Sequence, residues 1–178
     1  MHRQIARLLT FAAATAAFSP SAHAQAAKPL DDPTIVAIFD AANTWDIQTG
    51  QLAAKRGSTK TIRDFGRMLA RDHTGIRQQG RDLAQKLNVT PTPPKDFDMA
   101  DDHADAMRTL TSAKHGVAFD RAFLEHEVAY HKAVVDAVTR TLLPALKNEE
   151  VKALVNRVAP AFVAHQQAAE RLLEGMGK

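Results

Sequence analysis

The chain has 178 residues, a formal net charge of +3 and no cysteine. The missing cysteine excludes disulfides, thiolate metal ligands and a lipid-anchored N-terminal cysteine. Alanine and leucine are abundant, aromatics are few, and Gly and Pro are sparse inside the periodic segments, which together point to an all-α chain long enough for one domain with a core.

Residues 1–24 read as a secretory signal. Arg3 and Arg7 form a basic start, Leu8 to Phe18 is an apolar run too short for a membrane span, and Ala22-His23-Ala24 is an A-x-A cleavage site. Cleavage would remove two positive charges, so the basic pI overstates any affinity for nucleic acid, and none is expected as a partner. The expected location is the periplasm or the exterior of a bacterium. No later stretch is apolar enough to span a membrane. A peripheral envelope contact and a homo-oligomer both stay open.

Residues 25–31 form an expected loose tail, and 32–176 the bundle domain. The first helix is expected from Asp32, an N-cap followed by Pro33, to about Lys55, with Gly57 in a left-handed C′ position. Ser58 would cap a second helix ending near Leu87. So short a link makes the two an antiparallel hairpin. Pro91, Pro93 and Pro94 end the second helix. Residues from about Met99 to Ala113 read as a short connecting helix with an acidic start. A third long helix runs from Gly116 to Leu143, where Pro144 breaks it, and a fourth from Asn148 to Gly175 with Pro160 inside. Two hairpins and a long connection make a four-helix bundle. The connection either reverses locally or crosses the length of the bundle.

Each long helix carries one ionisable residue within an apolar stripe: Asp46, Asp72, Glu127 and His165. All four lie near their helix midpoints, so they meet at one depth in either topology. A core-facing carboxylate costs several kcal/mol unless it is paired, neutralised or metal-bound. His73 and His131 sit at the stripe edges. These six residues offer oxygen and nitrogen donors, a set suited to iron, manganese or zinc. Asp72 and Glu127 are the expected central oxygen ligands, and His165 the expected nitrogen ligand. Carboxylate-bridged metal pairs in bundles use Glu-x-x-His twice, a spacing these residues lack, which counts against a di-iron oxidase centre. The leading reading is binding of a transition metal or small ligand; the alternative is a non-enzymatic cell-envelope or stress-associated interaction protein in which buried carboxylates and imidazoles satisfy one another as a purely structural network, with Arg121 or Arg140 reaching inward. Trp45 and Tyr130 flank the cluster. His103 and His115 are expected to face solvent.

The stretches FDAANTWDIQTGQLA (39–53), IRDFGRMLARDH (62–73), FDRAFLEHEVAYHK (119–132) and APAFVAHQQAAERL (159–172) resemble a ferritin-like family of exported bacterial proteins without established activity. Its members are often labelled predicted outer-membrane proteins. The resemblance implies a ferritin-like bundle and export, not a reaction. It commonly places a glutamate where this chain has Asp46. A spanning barrel would need alternating strands, whereas the periodicity here is helical throughout.

Overall fold

The structure, a computed structural model, describes residues 30–94 and 99–177. The expected signal and most of the expected tail lie outside them. Helix α1 spans Asp32–Arg56, α2 Lys60–Lys86, α3 Met99–Ser112 and α4 Val117–Ala137. A π-helical turn over Val138–Leu142 and one short turn, α5 (Leu143–Ala145), lead to α6 (Glu149–Gly175). The all-α four-helix bundle expected from the sequence is therefore the observed fold. None of the described helices is long and apolar enough to cross a membrane.

The helix starts follow from local chemistry: α3, α4 and α6 begin where expected, while the caps of α1 and α2 are each displaced by one residue. Asp31, not Asp32, caps α1 by accepting from Thr34 N at 3.0 Å. Asp32 instead accepts from the backbone N–H groups of Lys147 and Asn148 at 2.9 and 3.0 Å, fastening the start of α1 to that of α6. Thr59, not Ser58, caps α2, while Ser58 donates its backbone N–H to Asp120 at 2.9 Å and its hydroxyl to the same carboxylate. Gly57 is not left-handed: its φ is −53°. It is small because a Cβ there would meet Ala53 O and Ile62 Cγ2 at 2.9 Å.

These ties settle the long connection. Ser58–Asp120 puts the start of α4 beside the α1–α2 turn, whereas Lys86 pairs with Glu150 at the opposite end. The chain leaving α2 therefore crosses the bundle length before α4 begins, and α2 runs parallel to α4. Helices α1 and α2 form one hairpin and α4 and α6 the other, with α1 against α4 and α2 against α6. The first hairpin is very close: a Cβ on Gly66 would sit 2.6 Å from Gly50 O.

The apolar core is split in two. One cluster, around Ile35, Ile76, Val134, Leu154 and Phe162, fills the end where α1 and α6 start. The other, around Phe65, Leu69, Phe119, Phe123 and Leu124, fills the other end. Each such fully buried side chain stabilises by about 1.5–3 kcal/mol. Between the clusters lies a polar layer.

Candidate metal centre

The polar layer contains Asn43, Asp46, His73, Glu127, His131 and His165, all at most 4 % exposed. Helix α1 supplies Asn43 and Asp46 one turn apart, α2 His73, α4 Glu127 and His131 one turn apart, and α6 His165. The sequence reading is corrected on α2. Asp72 was expected at the centre and His73 at the edge, but the Asp72 side chain is 31 % exposed while His73 is fully buried. The buried face of α2 includes Ile62, Gly66, Leu69, His73, Ile76 and Gly80. Measured from Ile62 at about 100° per residue, His73 lies about 20° away and Asp72 about 80°. The two glycines belong to this face but add nothing to an apolar pattern, which displaced the expected centre toward Asp72. His131, also expected at an edge, is fully buried.

The hydrogen bonds set the tautomer of each imidazole. Asn43 donates its Nδ2 to Phe39 O at 2.7 Å, so its Oδ1 faces His73 Nδ1 at 2.9 Å. An oxygen there requires His73 Nδ1 to carry the proton. His131 Nδ1 faces the Glu127 backbone carbonyl at 3.0 Å, and His165 Nε2 faces Asp72 Oδ2 at 3.3 Å. Both nitrogens must likewise donate. Every neutral ring thus points its N–H outward and its lone pair inward, as metal-ligating histidines do.

The three inward atoms converge. His73 Nε2 lies 3.1 Å from His165 Nδ1 and 3.0 Å from Asp46 Oδ2, which lies 3.2 Å from His131 Nε2. These spacings approach the edge of about 3.3 Å expected for a tetrahedron with bonds of about 2.0 Å. Asp46 Oδ1 and Oδ2, Glu127 Oε1 and Oε2, and His131 Nε2 are buried without any hydrogen-bond partner. The network is therefore not self-satisfied. Ligand-capable atoms of His73, His131 and His165 all lie within 4.8 Å of one another, and so do those of Asp46, Glu127 and His131. Glu127 reaches toward the outer side of His131, with Oε2 3.4 Å from Nδ1. Arg121 and Arg140 do not reach inward: they turn to Met176 O and to Asp136.

The electrostatics favour neutral imidazoles on α2 and α6. Burial, and then the neighbouring His131 and His165, push His73 down to about 2. Burial and His131 also lower His165, against the pull of Asp72. Burial lowers His131 too, but Glu127 and Asp46 outweigh it, so its pKa is raised. Burial, reinforced by Glu127, holds the Asp46 carboxyl well above the usual carboxylate range.

Aromatic rings enclose the layer. Phe162 meets His73 edge-on at 5.1 Å, and Tyr130 meets His131 edge-on at 5.8 Å while donating its hydroxyl to Ala42 O at 2.8 Å. Asn43, Tyr130 and Phe162 also line an open cavity of about 580 Å³ beside α3. His103, expected in solvent, is partly buried there, stacked on Trp45 at 5.5 Å and bonded to Gln48 at 2.7 Å. His115 is exposed, as expected. Asn43 was missed by sequence reasoning. Its signal was position: three residues before Asp46, a polar residue on the same side of α1.

No curated protein matches the sequence. Two solved structures share the fold. A DUF305 fragment from Deinococcus radiodurans superposes with a TM-score of 0.69 at 14 % identity, covering 83 % of this chain and 99 % of that one. CopM, in its Cu(II)-bound form, superposes with a TM-score of 0.62 at 16 % identity, covering 82 % and 98 %. The model of the family described as "Domain of unknown function (DUF4142)" matches residues 17–172, so the chain belongs to that family.

Proposed function

We propose that this protein binds one transition-metal ion at the middle of its bundle, through His73 Nε2, His131 Nε2, His165 Nδ1 and a carboxylate oxygen of Asp46. The observation that carries the proposal is the gathering of three inward imidazole nitrogens, those of His73 and His131 within 3.2 Å of a buried Asp46 oxygen and that of His165 3.1 Å from His73 Nε2. A purely structural network would place a proton between each pair of these atoms. Here the outward N–H bonds direct the lone pairs at one another, an arrangement that a cation stabilises. Asp72 is assigned to orienting His165, and Asn43 to orienting His73.

Three imidazoles and one carboxylate favour copper and zinc over iron and manganese, following the general order of affinities. The Cu(II)-bound state of CopM, which shares this fold, supports including copper. The signal-like residues 1–24 support export to the periplasm or beyond. The proposed role is metal binding in that compartment, without an assigned reaction.

Metal content of the native protein, exported and purified without chelator or affinity histidines, tests this. About one copper or zinc ion per chain is expected in the wild type, and none in Asp46→Asn or His131→Asn variants that retain their helix content. A metal-free wild type whose Tm ignores added copper and zinc would overturn the proposal.

A further inference from the structure

We infer that the cavity beside α3 is the route by which an ion reaches the buried centre, with His103 and His126 as a capture pair on its wall and Tyr130 as the gate to the ligands. The inference rests on the metal-site reading above and adds the residues that load the site. The proposed ligands are at most 4 % exposed, so an ion reaches them only through an opening in the bundle. The cavity is such an opening, about 580 Å³ in volume, with Asn43, Tyr130 and Phe162 among its lining residues. These three stand directly against the ligands. Asn43 Oδ1 accepts from His73 Nδ1 at 2.9 Å, Phe162 meets His73 edge-on at 5.1 Å, and Tyr130 meets His131 edge-on at 5.8 Å.

Two imidazoles outside the centre line the same cavity. His103 Nε2 donates to Gln48 Oε1 at 2.7 Å, which leaves Nδ1 as the nitrogen with a lone pair. His126 stacks on Tyr130 at 5.6 Å, so the tyrosine ring touches both a capture residue and a ligand. Its hydroxyl, donating to Ala42 O at 2.8 Å, latches α4 to α1. Breaking that one bond frees the ring to swing into the cavity. The exposed carboxylate of Asp102 also lines the cavity and draws cations toward it. The other approach, past the partly exposed Asp72, is guarded by Arg71, whose guanidinium holds that carboxylate at 2.9 Å and repels a cation.

Stopped-flow uptake of zinc chloride by metal-stripped full-length protein, and release of zinc from the loaded protein into excess EDTA, test this. A shared route must change both rates by one factor and leave the affinity alone. The double variant His103→Ala/His126→Ala should slow both by about 10-fold, the low end of what a focusing cleft adds to an on-rate. Tyr130→Phe should speed both by about 2–10-fold, the worth of one ordinary hydrogen bond. Arg71→Gln should change neither. Faster release with weaker affinity in the double variant would make the histidines ordinary ligands and overturn the inference. Faster uptake in Arg71→Gln, with unchanged rates in the double variant, would place entry at Asp72 and overturn it too. Should the double variant lose helix content, Ala133→Trp narrows the cavity without touching α3; it should slow both rates, and unchanged rates would overturn the route. A wild type that takes up no zinc would overturn the metal-site reading itself, whereas zinc bound at rates indifferent to all these changes would overturn the route alone.

Discussion

Replacing Asn43 by Leu isolates what sets the direction of the His73 lone pair. The Asn43 side chain is buried, with one bond of 2.9 Å to His73 Nδ1 and one of 2.7 Å to Phe39 O. Leucine fills similar volume but accepts nothing. If the His73 tautomer stayed as it is, the orphaned Nδ1–H would cost about 1–3 kcal/mol. A cheaper relaxation exists: the proton moves to Nε2 and donates to Asp46 Oδ2, 3.0 Å away. The inward lone pair then disappears. The expected result is a stability loss near the low end of that range, a Tm lower by a few degrees, and zinc affinity reduced by about 10–100-fold. Asn43→Asp keeps an acceptor and should keep the original tautomer. Long-range nitrogen–proton NMR on chelator-treated protein reads the tautomer directly. A wild-type His73 that already carries its proton on Nε2 would refute the reasoning.

Three further outcomes are expected. Gly66→Ala should destabilise by about 1–3 kcal/mol, because the new Cβ lies 2.6 Å from Gly50 O and 2.7 Å from Ala54 N, both backbone atoms; an unchanged urea midpoint would contradict so tight a hairpin. Asp46→Asn should stabilise the chelator-treated protein at pH 7 by on the order of 1 kcal/mol, since burial disfavours its charged form; a lower Tm would mean that the carboxylate is better satisfied than the geometry shows. Acid should destabilise through His73, whose pKa falls from 6.5 in the open chain to about 2 in the fold. Below about pH 6.5 the unfolded chain takes up a proton that folded His73 refuses, so this residue's contribution falls by about 1.4 kcal/mol per pH unit. His165 acts in the same sense, while His131 and Asp46, both raised, act oppositely. Urea midpoints at pH 6.5 and 5.5 should therefore fall less in His73→Gln than in the wild type, and parallel falls would refute the assignment.

The helices and hairpins were legible because each boundary has a local cause. Proline, glycine, threonine and aspartate act within a turn of where they stand, and errors of one residue arose where two capping side chains are adjacent, as at Asp31-Asp32 and Ser58-Thr59. The path of the long connection was not legible. It depends on Asp120 meeting Ser58 and on Lys86 meeting Glu150, contacts between residues more than sixty positions apart that no local pattern encodes. The depth of the polar layer was readable, since helix midpoints coincide in both topologies. Its inner and outer members on α2 were confused for a physical reason: Gly66 and Gly80 are core positions through close approach to Gly50 and Phe39, and a glycine carries no hydropathy with which to mark a face.

The polar layer also separates two apolar clusters that would otherwise join. Leucines in its place would extend the core and remove five unpartnered polar atoms, each costing about 1–3 kcal/mol when buried. Against a net stability of about 5–15 kcal/mol for a typical domain, that is a large sacrifice for register alone, which one well-satisfied polar pair could specify. The arrangement of the outer bonds is also more specific than register demands. Asn43, the Glu127 carbonyl and Asp72 each hold one imidazole proton away from the centre, on three different helices; His73 and His131 present their free nitrogen to Asp46, and His165 presents its own to His73. A network selected only to satisfy itself would direct those protons inward, where the unpartnered carboxylate oxygens are. Their outward direction is what the proposed cation site accounts for and a purely structural layer does not.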